Sequence, residues 1–289
     1  MDETRPSNIV RAGEPSRTAL RVAALRAAHQ LLDEPIVLED PVALRILGPK
    51  AEAELRDDPF QYNDPISRGL RAALVVRSRF AEDELAHAVA AGVTQYAVLG
   101  AGLDTFAYRN PYGGALHVFE VDHPSTQQWK RQLLQEAGIT LPANLAFAPA
   151  DLERCALAQN LEDAGFRTDR PACFSWLGGT MYLTEAAVME LLGFVATMPK
   201  SSSITFDFRV PPSMLNPIER VISDVMGERV AALGEPWISA FDPTALRDQI
   251  ARLGFNGVKT YEPDELNRRY LHRRKDGLRA GCRLLCARV

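Results

Sequence analysis

Two rhythms divide this chain. Up to about residue 92 its apolar positions fall in helical stretches, and from residue 94 short apolar runs alternate with helices. Residues 1–16 are polar, carry Pro6, Gly13 and Pro15, and read as a loose arm. Ser16 or Thr18 can cap a helix over 19–32, which Asp33, Glu34 and Pro35 break. A second short helix is predicted over 38–47, with Pro41 near its first turn. Residues 48–64 read as irregular, and 67–91 as a longer helix ended at Gly92. Strands follow at 94–99, 116–121, 145–148, 173–177 and 203–208, with helices at 125–138, 152–164 and 184–197 between them, the last capped by Thr184 with Glu185 in its first turn. Such alternation predicts an α/β fold, a doubly wound and mostly parallel sheet with helices on both faces.

After Val210, Pro211 and Pro212 the rhythm changes. A helical stretch at 217–233 reads as an insertion, and the chain returns through a helix at 243–253 closed by Gly254. Strands at 257–261 and 283–288 complete a seven-stranded sheet, joined by a long connection that is helix-free or mixed. The division is therefore an arm over 1–16, an N-terminal helical cap region over 17–92, and a core over 93–289 with a helical insertion at about 211–240.

The chemistry gathers where the first two strands end. The run Tyr96-Ala97-Val98-Leu99 closes in Gly100-Ala101-Gly102, followed by Leu103, Asp104 and Thr105. The next strand ends in Asp122. Glycines at a strand end let backbone approach a ligand, and a carboxylate at the neighbouring strand end can accept both hydroxyls of a ribose. Glu120 lies two residues earlier on the same face; Asp122 is preferred because it is nearer the strand end. No third glycine opens a helix, so there is no pyrophosphate cradle. A nucleoside cofactor without a diphosphate suits this layout better than NAD, with S-adenosylmethionine foremost. After the third strand, Asp151 could accept from an adenine amino group while Leu152 packs on the ring; Asp151 could equally cap the next helix.

Composition narrows the class. A net charge of −4 weighs against nucleic acid or an anionic membrane as the main partner. Cys155, Cys173, Cys282 and Cys286 form no C-x-x-C pair, and no Cys/His group has zinc spacing, so no metal is expected. Cys173, Cys282 and Cys286 lie in apolar runs and read as small buried hydrophobes. The amino terminus lacks the apolar core of a secretory signal, and no stretch approaches the roughly twenty apolar residues of a membrane span. The expectation is a cytoplasmic enzyme. His29, His87, His117, His123 and His272 show no informative pairing with a nearby Asp or Ser, and His123 reads as core or solvated although it adjoins the glycine turn. The basic run over 268–275 reads as a solvated connection.

Taken together, Leu99-Gly-Ala-Gly-Leu-Asp-Thr-Phe-Ala-Tyr-Arg109, Phe119-Glu-Val-Asp-His-Pro124, Asp151-Leu152 and Arg77-Ser-Arg-Phe80 resemble the leucine carboxyl methyltransferase-like group of S-adenosylmethionine-dependent methyltransferases, in its bacterial and actinomycete-type branch. Thr18-Ala-Leu and Leu38-Glu-Asp-Pro41 fit as well; the likeness is close over about 16–210 and looser beyond. It implies a class I, Rossmann-like fold with an antiparallel last strand beside the fifth. It also implies that Asp122 holds the ribose, that Asp151 and Leu152 flank the adenine, and that Arg77 pairs with the cofactor's methionine carboxylate, a planar target suited to a guanidinium. Arg79 is the rival for that last role. Gly100, Ala101 and Gly102 complete the implied cofactor set. After the fourth strand the group carries a glutamate about five residues before a tyrosine; here Tyr182 is kept as a pocket candidate, but Leu177 stands in the acid's place.

Methyl transfer from a sulfonium needs an in-line approach and little else from the protein than alignment and exclusion of water. A carboxylate acceptor is ionised at neutral pH and needs no base, whereas a hydroxyl does. No residue reads as that base. The resulting expectation is O-methylation of a small-molecule carboxylate or acidic hydroxyl, with a protein C-terminal carboxylate, the acceptor of the family's eukaryotic members, second. The alternatives are a non-catalytic S-adenosylmethionine-binding protein and an NAD(P)-linked oxidoreductase.

Overall fold

The computed structural model describes residues 16–154 and 157–289. The expected arm, apart from Ser16, and Cys155 lie outside them. β1 (Gln95–Leu99), β2 (His117–Asp122), β3 (Leu145–Pro149), β4 (Cys173–Trp176), β5 (Ser203–Phe208), β6 (Gly257–Tyr261) and β7 (Arg283–Arg288) form one sheet in the order β3-β2-β1-β4-β5-β7-β6. β1 to β5 pair in parallel, and β7 runs antiparallel to both β5 and β6. The mostly parallel sheet and the antiparallel strand beside β5 are as predicted. Every residue of β1, β4 and β5 is buried; β1 reads as a continuous apolar run over 96–99, whereas β5 alternates the buried polar Ser203, Thr205 and Asp207 with Ile204, Phe206 and Phe208. The edge strand β6 alternates between more and less exposed positions.

Helices cover both faces. On one, Ala97, Leu99, Phe119 and Val121 pack with Leu157 and Leu161 of α5 (Leu157–Asp163), Leu191 and Leu192 of α6 (Glu185–Ala196), and Leu246 and Ile250 of α8 (Pro243–Arg252). On the other, Tyr96, Val98 and Val118 meet Leu85 of α3 (Pro65–Ala90). Earlier on α3, Val76 and Phe80 pack with Tyr261, Leu284 and Cys286. α1 (Arg17–Leu32) lies against α3, and its small buried residues Ala23, Ala24, Ala27 and Ala28 admit Val42, Ile46, Leu47 and Leu55 at close range. Ser16 is the cap of α1, its hydroxyl accepting from the Ala19 N–H at 3.1 Å. Among the described residues no helix is long and apolar enough to cross a membrane.

Several local expectations need correction. Residues 38–47 do not form an α-helix: a turn leads into a single 3-10 turn at Arg45–Leu47, because the Asp40 side chain accepts from the Val42 N–H and holds the chain in a tight bend. The stretch expected to be irregular contains α2 (Pro49–Asp57), with Pro49 at its first position and Leu55 buried. The connection before β7, expected to be helix-free or mixed, is the mixed form and carries α9 (Pro263–Tyr270). Nor is the basic run wholly solvated. Arg274 is buried against Asp33, with Nη2 to Oδ1 at 3.0 Å.

Asp33 also takes Arg71 through two bonds at 2.8 and 3.1 Å, and His29 Nδ1 lies 2.7 Å from its Oδ2. That histidine is therefore paired, against the sequence expectation. Its Nε2 accepts from the N–H groups of Val37 and Leu38, which leaves the ring proton on Nδ1, donated to Asp33. Burial works against the Asp33 charge, but His29 and Arg71 hold its carboxyl well below the usual range. His29 and Asp33 are only four residues apart; what the sequence does not show is that Arg71 and Arg274 join them, since these meet Asp33 only once α1, α3 and the segment before β7 have docked.

Glu120, the alternative to Asp122, is no part of the wall of the cavity at the strand ends. It is buried with Lys130 of α4 (Pro124–Glu136), Nζ to Oε2 at 2.6 Å, each side chain 1% exposed. Burial pushes the Glu120 carboxyl up to about 7 against the pull of Lys130. Replacing Lys130 by Met strands that carboxylate, and unfolding free energy should fall by about 3–5 kcal/mol at pH 8. A carboxyl whose folded-state pKa is raised binds more protons folded than unfolded, so stability falls as pH rises from the unfolded value through the folded one. The deficit of Lys130→Met against the parent should therefore be smaller at pH 5 than at pH 8. Urea titrations at the two pH values check this; equal deficits contradict it.

Candidate active site

The strand order reverses between β1 and β4: the chain runs outward from β1 through β2 to β3, then returns to β4 on the other side. A crevice opens at such a switch point beyond the carboxyl ends of the strands. Here it is a cavity of about 630 Å³, walled by residues of α1, α3, the β1, β2, β3 and β4 ends, α6 and the 235–238 segment.

The turn after β1 forms its floor on one side. Gly100 has φ 63° and Gly102 φ 46°, left-handed values that side chains disfavour. A Cβ on Gly102 would also lie 3.3 Å from that of Ala19, so α1 sits directly over the turn. The Ala101 N–H donates to the Val121 carbonyl at 3.0 Å, and the Gly102 N–H to Asp122 Oδ2 at 2.6 Å. Asp122 Oδ1 accepts from the His123 N–H at 2.6 Å. Burial raises the Asp122 pKa, opposed by these two N–H groups. His123 lines the cavity too, but its ring is occupied in capping α4, with Nδ1 2.7 Å from Ser125 Oγ.

Beyond β3, Asp151 accepts from the Glu153 N–H at 3.1 Å, and Leu152 faces the cavity. The sequence reading missed Glu153. Its carboxylate takes the Thr184 N–H at 3.1 Å and hydroxyl at 2.8 Å, tying this turn to the start of α6. Gly178 and Gly179 make the opposite wall. A Cβ on Gly178, at φ 77°, would come 2.7 Å from Arg77 Nη2, and one on Gly179 would come 2.2 Å from Trp176 Nε1. The two glycines thus leave the room in which a guanidinium and an indole sit; the pair was the only sequence signal for Trp176 as a floor residue. Arg77 lines the cavity with Nη1 2.7 Å from Asp207 Oδ2. Its rival Arg79 pairs with Asp83 at 2.7 Å on the outer side of α3, with 47% of its side chain exposed, and is no part of the cavity wall. Leu177 lines the cavity and packs against the cluster of Phe80, Tyr261 and Leu284.

Gly100, Ala101, Gly102, Asp122, Asp151, Leu152, Arg77 and Tyr182 therefore all border one space. Burial pushes the Tyr182 phenol up. The 235–238 segment forms a further part of the cavity wall. Glu235 is buried and receives the Ser16 hydroxyl at 3.1 Å and the Arg17 N–H at 3.0 Å. The Ile238 N–H donates to the Met181 carbonyl at 2.7 Å. This clasp joins the first helix to the segment after α7 (Pro217–Ala232), a link that only the folded chain makes.

A buried charge network underlies the turn and accounts for two sequence motifs. Asp40, of Leu38-Glu-Asp-Pro41, accepts the Thr105 hydroxyl at 2.5 Å and lies 3.5 Å from Arg26 Nε. Arg26 donates to the Leu103 carbonyl at 2.7 Å. Arg109 makes a two-pronged pair with Glu82, whose pKa burial raises. Burial also acts to raise the Asp104 pKa, but Arg26, Lys130 and Arg109 together hold it below the ordinary value. Among the described residues no group of three or more His, Cys, Asp or Glu is arranged to hold a metal ion.

Comparison with known proteins places this geometry. The leucine carboxyl methyltransferase family pattern matches residues 19–196. YktD of Bacillus subtilis, named as an S-adenosylmethionine-dependent methyltransferase, is 30% identical over 94% of this chain and 96% of its own length. A Mycobacteroides abscessus protein of the same designation is 32% identical over 73% of this chain and 70% of its own. In fold, the chain is similar to a methyltransferase structure from Thermobifida fusca, with TM-score 0.57 and 19% identity, covering 96% of this chain and 95% of that one. It is likewise similar to a DUF574-family structure from Streptomyces avermitilis, with TM-score 0.56 and 15% identity over 96% and 98%.

Gly179→Ala should collide with the Trp176 indole and cost about 1–3 kcal/mol through overpacking, with a shift in tryptophan emission as the ring is displaced. Gly193→Ala, inside α6 with no atom within 4 Å of the added methyl, should instead leave stability equal or slightly higher. Thermal unfolding of both variants checks the contrast; equal melting temperatures would refute the packing assigned to Gly179.

Proposed function

The chain belongs to the leucine carboxyl methyltransferase family, and we propose that its cavity takes S-adenosylmethionine and directs the methyl to an oxygen of a small carboxylate or acidic hydroxyl. The observation that carries this reading is convergence: the two-glycine turn, Asp122, Asp151-Leu152 and Arg77 come from four separate elements and border the same cavity. The residues fit the cofactor. The left-handed glycine turn leaves main chain bare toward the ligand, Asp122 keeps acceptor capacity beyond its two N–H bonds for a ribose diol, and Arg77 offers a guanidinium edge for the methionine carboxylate. Asp151 and Leu152 would flank the adenine. When bound, S-adenosylmethionine supplies a methyl group already activated on sulfur.

The rest is alignment and exclusion of water. Ala19, Val22, Leu183, Pro236 and Ile238 give the cavity apolar lining beside its polar groups. Among the acids that line the cavity, Glu235 is held by Ser16 and Arg17 and Glu82 by Arg109, so neither of these two is free to act as a base, while Glu190 of α6 lines it from an exposed position. That supports an acceptor that is ionised without help, and a carboxylate is one at neutral pH. The Glu235 clasp, which ties the start of α1 to the cavity wall, supports a small molecule over a protein terminus. The turn lacks the third glycine of a dinucleotide site, which disfavours the NAD(P)-linked alternative.

With methyl-labelled S-adenosylmethionine and a panel of small carboxylates and phenols, S-adenosylhomocysteine should form only when an acceptor is present. The transferred label should leave as methanol in mild base, as an ester does; base-stable label would move the assignment to a hydroxyl. Asp122→Ala should weaken S-adenosylmethionine binding at least tenfold, about 1.4 kcal/mol. Unchanged affinity in that variant would remove the ribose role of Asp122, and no binding by the parent protein would end the proposal.

A further inference from the structure

Leu177 stands where the family resemblance calls for an acid, yet an acid is close by on the neighbouring strand. β4 and β5 pair Trp176 with Phe206, so Asp207 is the next residue along, level with Leu177. Its Oδ2 accepts from Arg77 Nη1 at 2.7 Å, and its Oδ1 accepts from the Gly178 N–H at 2.5 Å. Its own carbonyl takes the Thr180 hydroxyl at 2.7 Å. One buried carboxylate therefore fixes both the arginine and the glycine wall against which that arginine lies.

We propose that Asp207 is the positioning residue of this site: it holds one edge of the Arg77 guanidinium so that the other edge stays directed at the cofactor's methionine carboxylate. This rests on the reading of Arg77 given above. Arg77 borders the cavity and Asp207 does not, so Asp207 acts through the arginine. The side chains are 13% and 7% exposed, leaving the arginine the more accessible member of the pair. Among the described residues the Asp207 bond is the only hydrogen bond or ion pair made by the Arg77 side chain. The absence of a side chain at Gly178 gives the guanidinium its slot, since a Cβ there would come within 2.7 Å of Nη2 and 3.1 Å of Nη1. A long side chain with many rotamers loses entropy when it is fixed on binding; holding it beforehand removes much of that cost. The device differs from an acid at position 177, which would border the cavity itself, as Leu177 does.

Two ligands separate this role from a structural one. S-adenosylhomocysteine carries the amino-acid carboxylate; 5′-methylthioadenosine has the same nucleoside without it. By calorimetry, Asp207→Ala should weaken S-adenosylhomocysteine at least tenfold and leave 5′-methylthioadenosine within threefold. Arg77→Ala should do the same, and the double variant should lose no more than either single one, because both remove one interaction. Should Asp207→Ala not fold, Asp207→Asn keeps an oxygen for the Gly178 N–H, loses the charge facing Arg77, and should give the same ligand ratio. Equal weakening of both ligands would overturn the proposal in favour of a purely structural role. Unchanged S-adenosylhomocysteine binding in the Asp207 variants, with loss in Arg77→Ala, would overturn it outright. Unchanged binding in Arg77→Ala would instead remove the reading of Arg77 on which the proposal stands.

Discussion

Two main-chain N–H groups, from Gly102 and His123, grip the carboxylate of Asp122, each at 2.6 Å, and the site is organised around that grip. It requires β1 and β2 to end level, which the parallel register of Leu99 with Val121 provides. It requires the chain after β1 to bend through left-handed values, which Gly100 and Gly102 allow. It also requires a buried charge to be tolerated, and the N–H donors oppose the burial that would otherwise neutralise it. The carboxylate is thereby aimed at the crevice between β1 and β4 before any ligand arrives, the kind of preparation that lowers the cost of binding.

The helices ahead of β1 do more than cover the sheet. α1 passes within van der Waals reach of Gly102, supplies Arg26 to the Leu103 carbonyl, and offers its N-terminus to Glu235. α3 supplies Arg77 to the cavity and Glu82 to Arg109 behind it. The negative groups beneath the turn are matched by Arg26 and Arg109, so the turn is braced by ion pairs in a region of low water content, where such pairs are strong and an unpaired member is costly. A cationic sulfonium entering above Asp104 and Asp122 would meet a wall that retains acidic character, in keeping with the family to which the chain belongs.

Much of the sheet was legible because its signal is local. Short runs of strand-forming residues, apolar throughout over 284–287 and alternating in β5 and β6, mark the strands, and β5, β6 and β7 begin and end where those runs do. The 38–57 region was read poorly for a physical reason. Asp40 interrupts a helix-compatible sequence by bonding its own backbone and Thr105, and α2 has little apolar content beyond Leu55 to announce it. Of the groups around Asp33, Arg71 and Arg274 arrive from segments far apart in the chain, whereas His29 lies one helical turn away, a spacing the sequence already offered.

The amino-acid order by itself determined the doubly wound sheet, the two-glycine turn and the choice of Asp122 over Glu120 by its nearness to the strand end, since these depend on local periodicity and on positions counted along one strand. Only the tertiary structure decided that Glu120 belongs to Lys130, that Arg77 rather than Arg79 faces the cavity, and that Asp207 stands behind it. Those choices turn on which face of a helix meets the sheet and on which distant charge is buried beside it, and neither is encoded in neighbouring residues.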